Sequence, residues 1–155
     1  MNRMTGMQTG QPQPTGEYDL AGRVIGGAMK VHTALGPGLL ESVYEHAMAH
    51  ELRKAGLRFE SQIPLKVTYD GVVAGDFVAD LLVEESLVVE LKAIQALAAT
   101  HEVQLVNHLT ATGLEEGLLL SFGALRLEFR KKFRTYRPPS SHSAHSVHSV
   151  SLPPA

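Results

Sequence analysis

Cysteine is absent from all 155 positions of the chain. That excludes a disulfide scaffold, a thiolate zinc site and a cysteine nucleophile, and it is compatible with a reducing cytosol. Long apolar runs are missing too, since no segment approaches the roughly 20 residues that a membrane span requires. The opening MNRMTGMQTGQPQPTGEYD contains no apolar stretch of the signal-peptide kind. The expectation is a cytoplasmic protein. Apolar residues make up 44% and charged residues 19% of the chain, which suits a globular domain with its own core.

Both ends have little to bury. Residues 1–16 are rich in Gln, Gly, Pro and Thr, and residues 138–155 read PPSSHSAHSVHSVSLPPA. Such compositions are expected to be disordered, which leaves a folded domain of about residues 17–137. His142, His145 and His148 recur every third residue of the tail. A tail with no other ligand type binds metals weakly and unselectively. The net charge of −2 conceals an asymmetry, because six of the 14 basic residues (Arg126, Arg130, Lys131, Lys132, Arg134 and Arg137) are clustered. A cluster of this kind can dock a polyanion, with Arg130, Lys131, Lys132 and Arg134 as candidate nucleic-acid contacts; a basic exit from a domain looks the same.

Periodicity organises the domain. Leu20, Val24, Ala28, Val31 and Leu35 form one helical stripe, which Gly36-Pro37-Gly38 stops. A second helix is expected from about Leu39 to Ala55, ending at Gly56. The period then changes to two. Leu65, Val67 and Tyr69 alternate with polar residues before the hairpin signal Asp70-Gly71. Val72–Val83 and Leu87–Lys92 read as two further strands, and Ile94–Ala111 as a third helix closed by Gly113. Leu118–Phe122 and Leu125–Phe129 read as the last strands. The order ααβββαββ predicts an α/β domain with helices packed on a mixed sheet.

Three polar residues interrupt the apolar hairpin FVADLLVEESLVVELKA at 77–93. If Glu84-Glu85-Ser86 is a three-residue loop, Val83 faces Leu87, and counting back puts Asp80 opposite Glu90. Lys92 lies two residues beyond Glu90 and shares its face, whereas Leu81, Val83, Val89 and Leu91 point the other way. A slip of one residue would part the two acids. Opposed carboxylates repel, and a hard divalent cation such as Mg²⁺ or Mn²⁺ would remove the conflict. On pattern alone, a Lys92–Glu90 salt bridge on a wet sheet face remains the simpler account.

A family resemblance enters through several motifs in order. Gly38-x-x-Glu41-x-x-Tyr44 resembles the signature of the GxxExxY protein family, a bacterial group of the PD-(D/E)XK nuclease-like superfamily. Asp80 followed by Glu90-Leu-Lys92 resembles its D…E-x-K core. His101-x-x-Gln104-Leu-x-Asn107 resembles its third-helix motif, and Gly117-Leu-Leu-Leu-Ser-Phe122-Gly the strand after it. The resemblance implies a restriction-endonuclease-like mixed sheet flanked by helices. It implies Asp80, Glu90 and Glu41 as ligands of Mg²⁺ (or Mn²⁺), Lys92 as the catalytic lysine, and Gln104 as a residue that positions the metal site or substrate. The implied activity is hydrolysis of DNA phosphodiester bonds by a metal-activated water. The alternative is a catalytically silent nucleic-acid or protein-binding module on the same scaffold. A homodimer, or a subunit of a larger assembly, is compatible with either.

Two positions depart from the pattern. Ala79 stands where a proline gives the superfamily its label, and His108 stands where related nucleases often carry tyrosine, four residues after Gln104. His101, Gln104 and His108 share one helical face. The nearby acids favour a harder ion than zinc for that neighbourhood. Taken without the motif, Tyr44 suits a packing role with a hydrogen-bonded hydroxyl, and His32 suits a cap or core position.

Overall fold

The computed structural model describes residues 16–134. The expectations about the two tails, with the histidines at 142, 145 and 148 and the cation Arg137, lie outside the described residues. Two helices come first, α1 (Gly16–Leu35) and α2 (Glu41–Lys54). Strands β1 (Phe59–Tyr69), β2 (Val72–Val83) and β3 (Leu87–Lys92) follow, then α3 (Ala99–Thr112), β4 (Glu116–Ser121) and β5 (Glu128–Phe133). The expected order ααβββαββ is the observed one.

The five strands form one sheet in the order β1-β2-β3-β4-β5. Pairing is antiparallel except between β3 and β4, which run parallel because α3 carries the chain back between them. The α1–α2 hairpin covers one face. Val24, Ala28, Val31, Tyr44, Met48 and Leu52 pack there against Leu81, Val83, Val89, Leu91, Leu118 and Leu120. Helix α3 covers the other, where Leu105 and Leu109 meet Ala79, Val88 and Leu119. This is a mixed sheet with flanking helices, in keeping with the restriction-endonuclease-like fold. Among the described residues no helix is long and apolar enough to cross a membrane.

The turn between α1 and α2 needs its glycines, because Gly36 sits at φ 66° and Gly38 at φ 103°, outside the usual range of side-chain-bearing residues. The buried Tyr44 holds this turn from within. Its hydroxyl donates to the Gly36 carbonyl at 2.5 Å and accepts from the Leu39 amide at 3.2 Å. Its ring stacks on Phe122 at 4.6 Å between centroids. His32 is buried as well, with Nε2 at 2.8 Å from the Ala124 carbonyl, to which it donates.

Three elements begin well away from the sequence expectation. Strand β1 begins at Phe59 rather than near Leu65, because the long β2 offers pairing partners as far as Val83. Helix α3 begins at Ala99 rather than Ile94. Residues 94–98 cross the end of β4 instead, where the Ser121 hydroxyl donates to the Ile94 carbonyl at 2.8 Å. The crossing is so close that a Cβ on Gly123 would lie 2.3 Å from the Ile94 backbone. His101 then caps the late start, its Nδ1 accepting the Ala98 amide at 3.0 Å. Strand β5 begins at Glu128 rather than Leu125, because Ser121 pairs with Glu128 after the Phe122–Leu127 loop has folded back.

Candidate active site

The β2–β3 hairpin has the register that the sequence implies, with Val83 opposite Leu87. The left-handed turn residues Glu84 and Glu85 lack the usual glycine, but the Glu84 carboxylate is tied to Arg58 through its backbone amide and guanidinium. The ladder ends at Leu81 and Val89, however, so Asp80 and Glu90 are not ladder partners. Asp80 instead turns its carboxylate towards β3, where Oδ2 accepts the Leu91 amide at 2.8 Å.

The cause is a change of phase in the β1–β2 pair. Beyond Asp80, Leu81 and Val83 face the α1–α2 hairpin, yet Phe77 and Ala79, of the same parity, pack on the α3 side. Strand β1 does the same between Phe59 and Leu65. At the crossover Gln62 adopts φ 53°, and Gln62 and Asp80 interrupt the run of pairs from Phe59–Val83 to Val67–Gly75. A left-handed residue within a strand redirects the side chains on either side of it. The Gln62 amide then reaches two acids, donating to Glu45 at 2.9 and 3.0 Å and to Asp80 Oδ1 at 3.3 Å.

Glu41 joins from the other layer. It is the first residue of α2, brought there by the Gly36–Leu40 turn. Burial pushes its carboxyl above the usual range, and Asp80, Glu45 and Glu90 push it further, against an opposing pull from Lys92. Asp80 is raised chiefly by burial, with Glu45 and Glu90 adding to it, while its hydrogen bonds from Leu91 and Gln62 resist. Glu41 therefore feels the charges of Asp80, Glu90 and Lys92, and Asp80 feels that of Glu90. Lys92 is half-buried and forms no ion pair among the described residues.

Glu90 is only 8% exposed, and its Oε1 lies 2.9 Å from His108 Nδ1 on α3. A carboxylate can only accept, so the imidazole donates. The His108 ring stacks on Phe77 with centroids 3.6 Å apart and planes 13° from parallel. Gln104, one turn earlier on the same helix, is exposed and makes no side-chain hydrogen bond among the described residues. His101 is spent on capping the helix.

The basic candidates lie on or just past the edge strand β5 rather than around the acids. Arg130 is paired with Glu128 at 3.7 Å, Lys132 with Glu102 at 2.7 Å, and Arg134 with Glu115. Lys131 points to the opposite face from Arg130 and Lys132, in register with Leu118. Through β4, Arg130 shares a row of the sheet with Glu90, about 10 Å away at two strand spacings.

Sequence reasoning missed Glu45, Gln62 and Phe77. Glu45 was within reach, since it lies four residues after Glu41 on the same helix face. Gln62 and Phe77 carried no local signal, because both depend on the change of phase at the crossover. Among the described residues, no group of three or more His, Asp or Glu side chains is drawn together as a preformed metal cage. The donor chemistry nonetheless fits a hard cation: carboxylate oxygens, with the charge of Glu41 and of Asp80 disfavoured by burial and by neighbouring acids.

Comparisons with known proteins bear on the fold and the family. No curated protein matches the sequence. The crystal structure of SSO0001 shares the fold with a TM-score of 0.50 at 16% identity, over 63% of this chain. The chain spans about half the length of that protein, 52% of it. A model of the PD-(D/E)XK nuclease superfamily matches residues 18–133, and the chain belongs to that superfamily.

Proposed function

We propose that the protein is a Mg²⁺- or Mn²⁺-dependent nuclease that hydrolyses DNA phosphodiester bonds. The observation that carries this reading is the meeting of Glu41, Asp80 and Glu90 with Lys92 at the end of β3, two of the carboxyls held above their usual range. Asp80, Glu90 and Glu41 would hold the cation. Such a cation, when bound, supplies a nucleophilic water at neutral pH and charge stabilisation on the phosphate.

The chain's own groups do the rest. Leu91 N–H and Gln62 aim the Asp80 carboxylate, and the sheet fixes Lys92 beside Glu41. The Lys92 ammonium would donate to the phosphate and offset charge that develops there. Gln104 would meet the substrate from the open face of α3, and Arg130, Lys131, Lys132 and Arg134 would take backbone phosphates along the β5 edge. The Gly38-Glu41-Tyr44 arrangement supports placing the chain in the GxxExxY group, since glycine permits the turn, tyrosine staples it and glutamate faces the acids.

A silent binding module is the second reading. The observation in its favour is the Gln62 amide, an internal donor that already bridges Glu45 and Asp80. A panel of single-stranded and duplex DNA and RNA, incubated with Mg²⁺ or Mn²⁺, separates the two. The nuclease reading expects metal-dependent cleavage of DNA that Lys92→Ala abolishes while the domain stays folded. Cleavage that survives Lys92→Ala, or none with either metal, would sink it.

A further inference from the structure

His108 makes two independent side-chain contacts, one with Phe77 and one with Glu90. Its imidazole is fixed twice. The near-parallel stack on Phe77 sets the plane of the ring, and the 2.9 Å hydrogen bond to Glu90 Oε1 sets its rotation within that plane. Phe77 reaches the α3 face only because β2 changes phase at Asp80, so the stack is specific to this backbone. The carboxylate it meets is only 8% exposed, so His108 is a fixed partner for it.

We propose that His108 is a positioning residue for Glu90: it occupies Oε1 and leaves Oε2 alone to face a divalent cation. This rests on the metal-dependent reading above. Hydrogen bonds to a ligating carboxylate fix its direction and are worth about 10–100-fold in metal affinity. A carboxylate limited to one oxygen also suits the strict octahedral geometry of Mg²⁺ or Mn²⁺. Ca²⁺ accepts bidentate carboxylates and a looser shell, so it gains less from the constraint. His108 thus contributes both to affinity and to the choice between small and large cations.

Two substitutions divide the contacts. His108→Phe keeps a ring for Phe77 and loses the donor; His108→Tyr keeps a ring and returns a hydroxyl donor. Calorimetric titration of the full chain with Mn²⁺ and with Ca²⁺ reads the result, beside Glu90→Gln as a control and thermal unfolding as a check on folding. The expected outcome is Mn²⁺ affinity lowered about 10-fold or more in His108→Phe, recovered in His108→Tyr, with Ca²⁺ affinity changed much less. Mn²⁺ binding within about two-fold of wild type in His108→Phe would overturn the assignment, as would equal losses in the Phe and Tyr variants. If wild type shows no Mn²⁺ binding that Glu90→Gln removes, the metal-site reading falls and this inference with it. Glu90-dependent binding that His108→Phe retains defeats this inference alone.

Discussion

The Asp80 carboxylate accepts the Leu91 backbone amide at 2.8 Å, one step past the point where β2 and β3 stop pairing. A side chain thus takes over from the backbone as acceptor and continues the seam between the strands. Asp80 is therefore both a candidate ligand and a sheet fastener, and the two roles separate by mutation.

Asp80→Asn keeps a carbonyl oxygen for Leu91 and removes the charge that Glu45 and Glu90 oppose. It should fold with stability equal to or above wild type and lose most of its divalent-metal affinity. Asp80→Ala strands the Leu91 amide and should cost about 1–3 kcal/mol in addition. Urea denaturation beside metal titration checks both. An Asn variant that binds metal like wild type would contradict the ligand role.

The raised carboxyls of Glu41 and Asp80 set a pH dependence for the metal-free protein. An acid whose pKa is higher in the folded state holds its proton more tightly there, so its favourable contribution is present below the unfolded value and lost as pH rises through the folded one. Stability should therefore fall as pH rises from the ordinary carboxylate range towards neutrality. The double variant Glu41→Gln/Asp80→Asn should lack this decline, gaining on wild type at neutral pH and converging with it in acid. Thermal melts across that range in the presence of a chelator give the comparison, and parallel curves would refute it.

Tyr44→Phe isolates the hydroxyl that staples the first turn. The stack on Phe122 survives, but the Gly36 carbonyl and Leu39 amide lose their partner inside the protein. A loss of about 0.5–1.5 kcal/mol is expected from denaturant titration, the usual net worth of an intramolecular hydrogen bond whose backbone partners can turn to water. Because Glu41 starts the helix two residues after Leu39, metal affinity should weaken as well. A change in stability with no change in metal binding would confine Tyr44 to packing.

Elements with a local cause were legible in the sequence. The α1 stripe from Leu20 to Val31, the glycines at 36 and 38, the Asp70-Gly71 turn and the Val83–Leu87 register all follow from short-range rules, and the structure contains them, although Leu35 at the end of the stripe is exposed. The D…E-x-K residues were legible as a set, although simple pairing put Asp80 straight across from Glu90, where the ladder does not extend. What stayed hidden needed contacts distant in sequence. The late start of α3 depends on Ser121 and Gly123 meeting Ile94, and the partners of Asp80 and Glu90 depend on Gln62 and Phe77. The cations of β5 read as a polyanion dock or as a basic exit from the domain; that acids from α3, from β5 itself and from the turn before β4 pair with Arg130, Lys132 and Arg134 had no local signal.

The β1–β2 hairpin gives its Phe59 and Leu81 half to one apolar cluster and its Leu65 and Phe77 half to the other. One ribbon is thus a shared wall between two compartments, and the acids stand at the seam where it passes from the first to the second. Loosening either compartment would reach Asp80 through the same strand. The geometry of the acids is in this sense a gauge of the whole domain, intact only while both halves of the ribbon are seated.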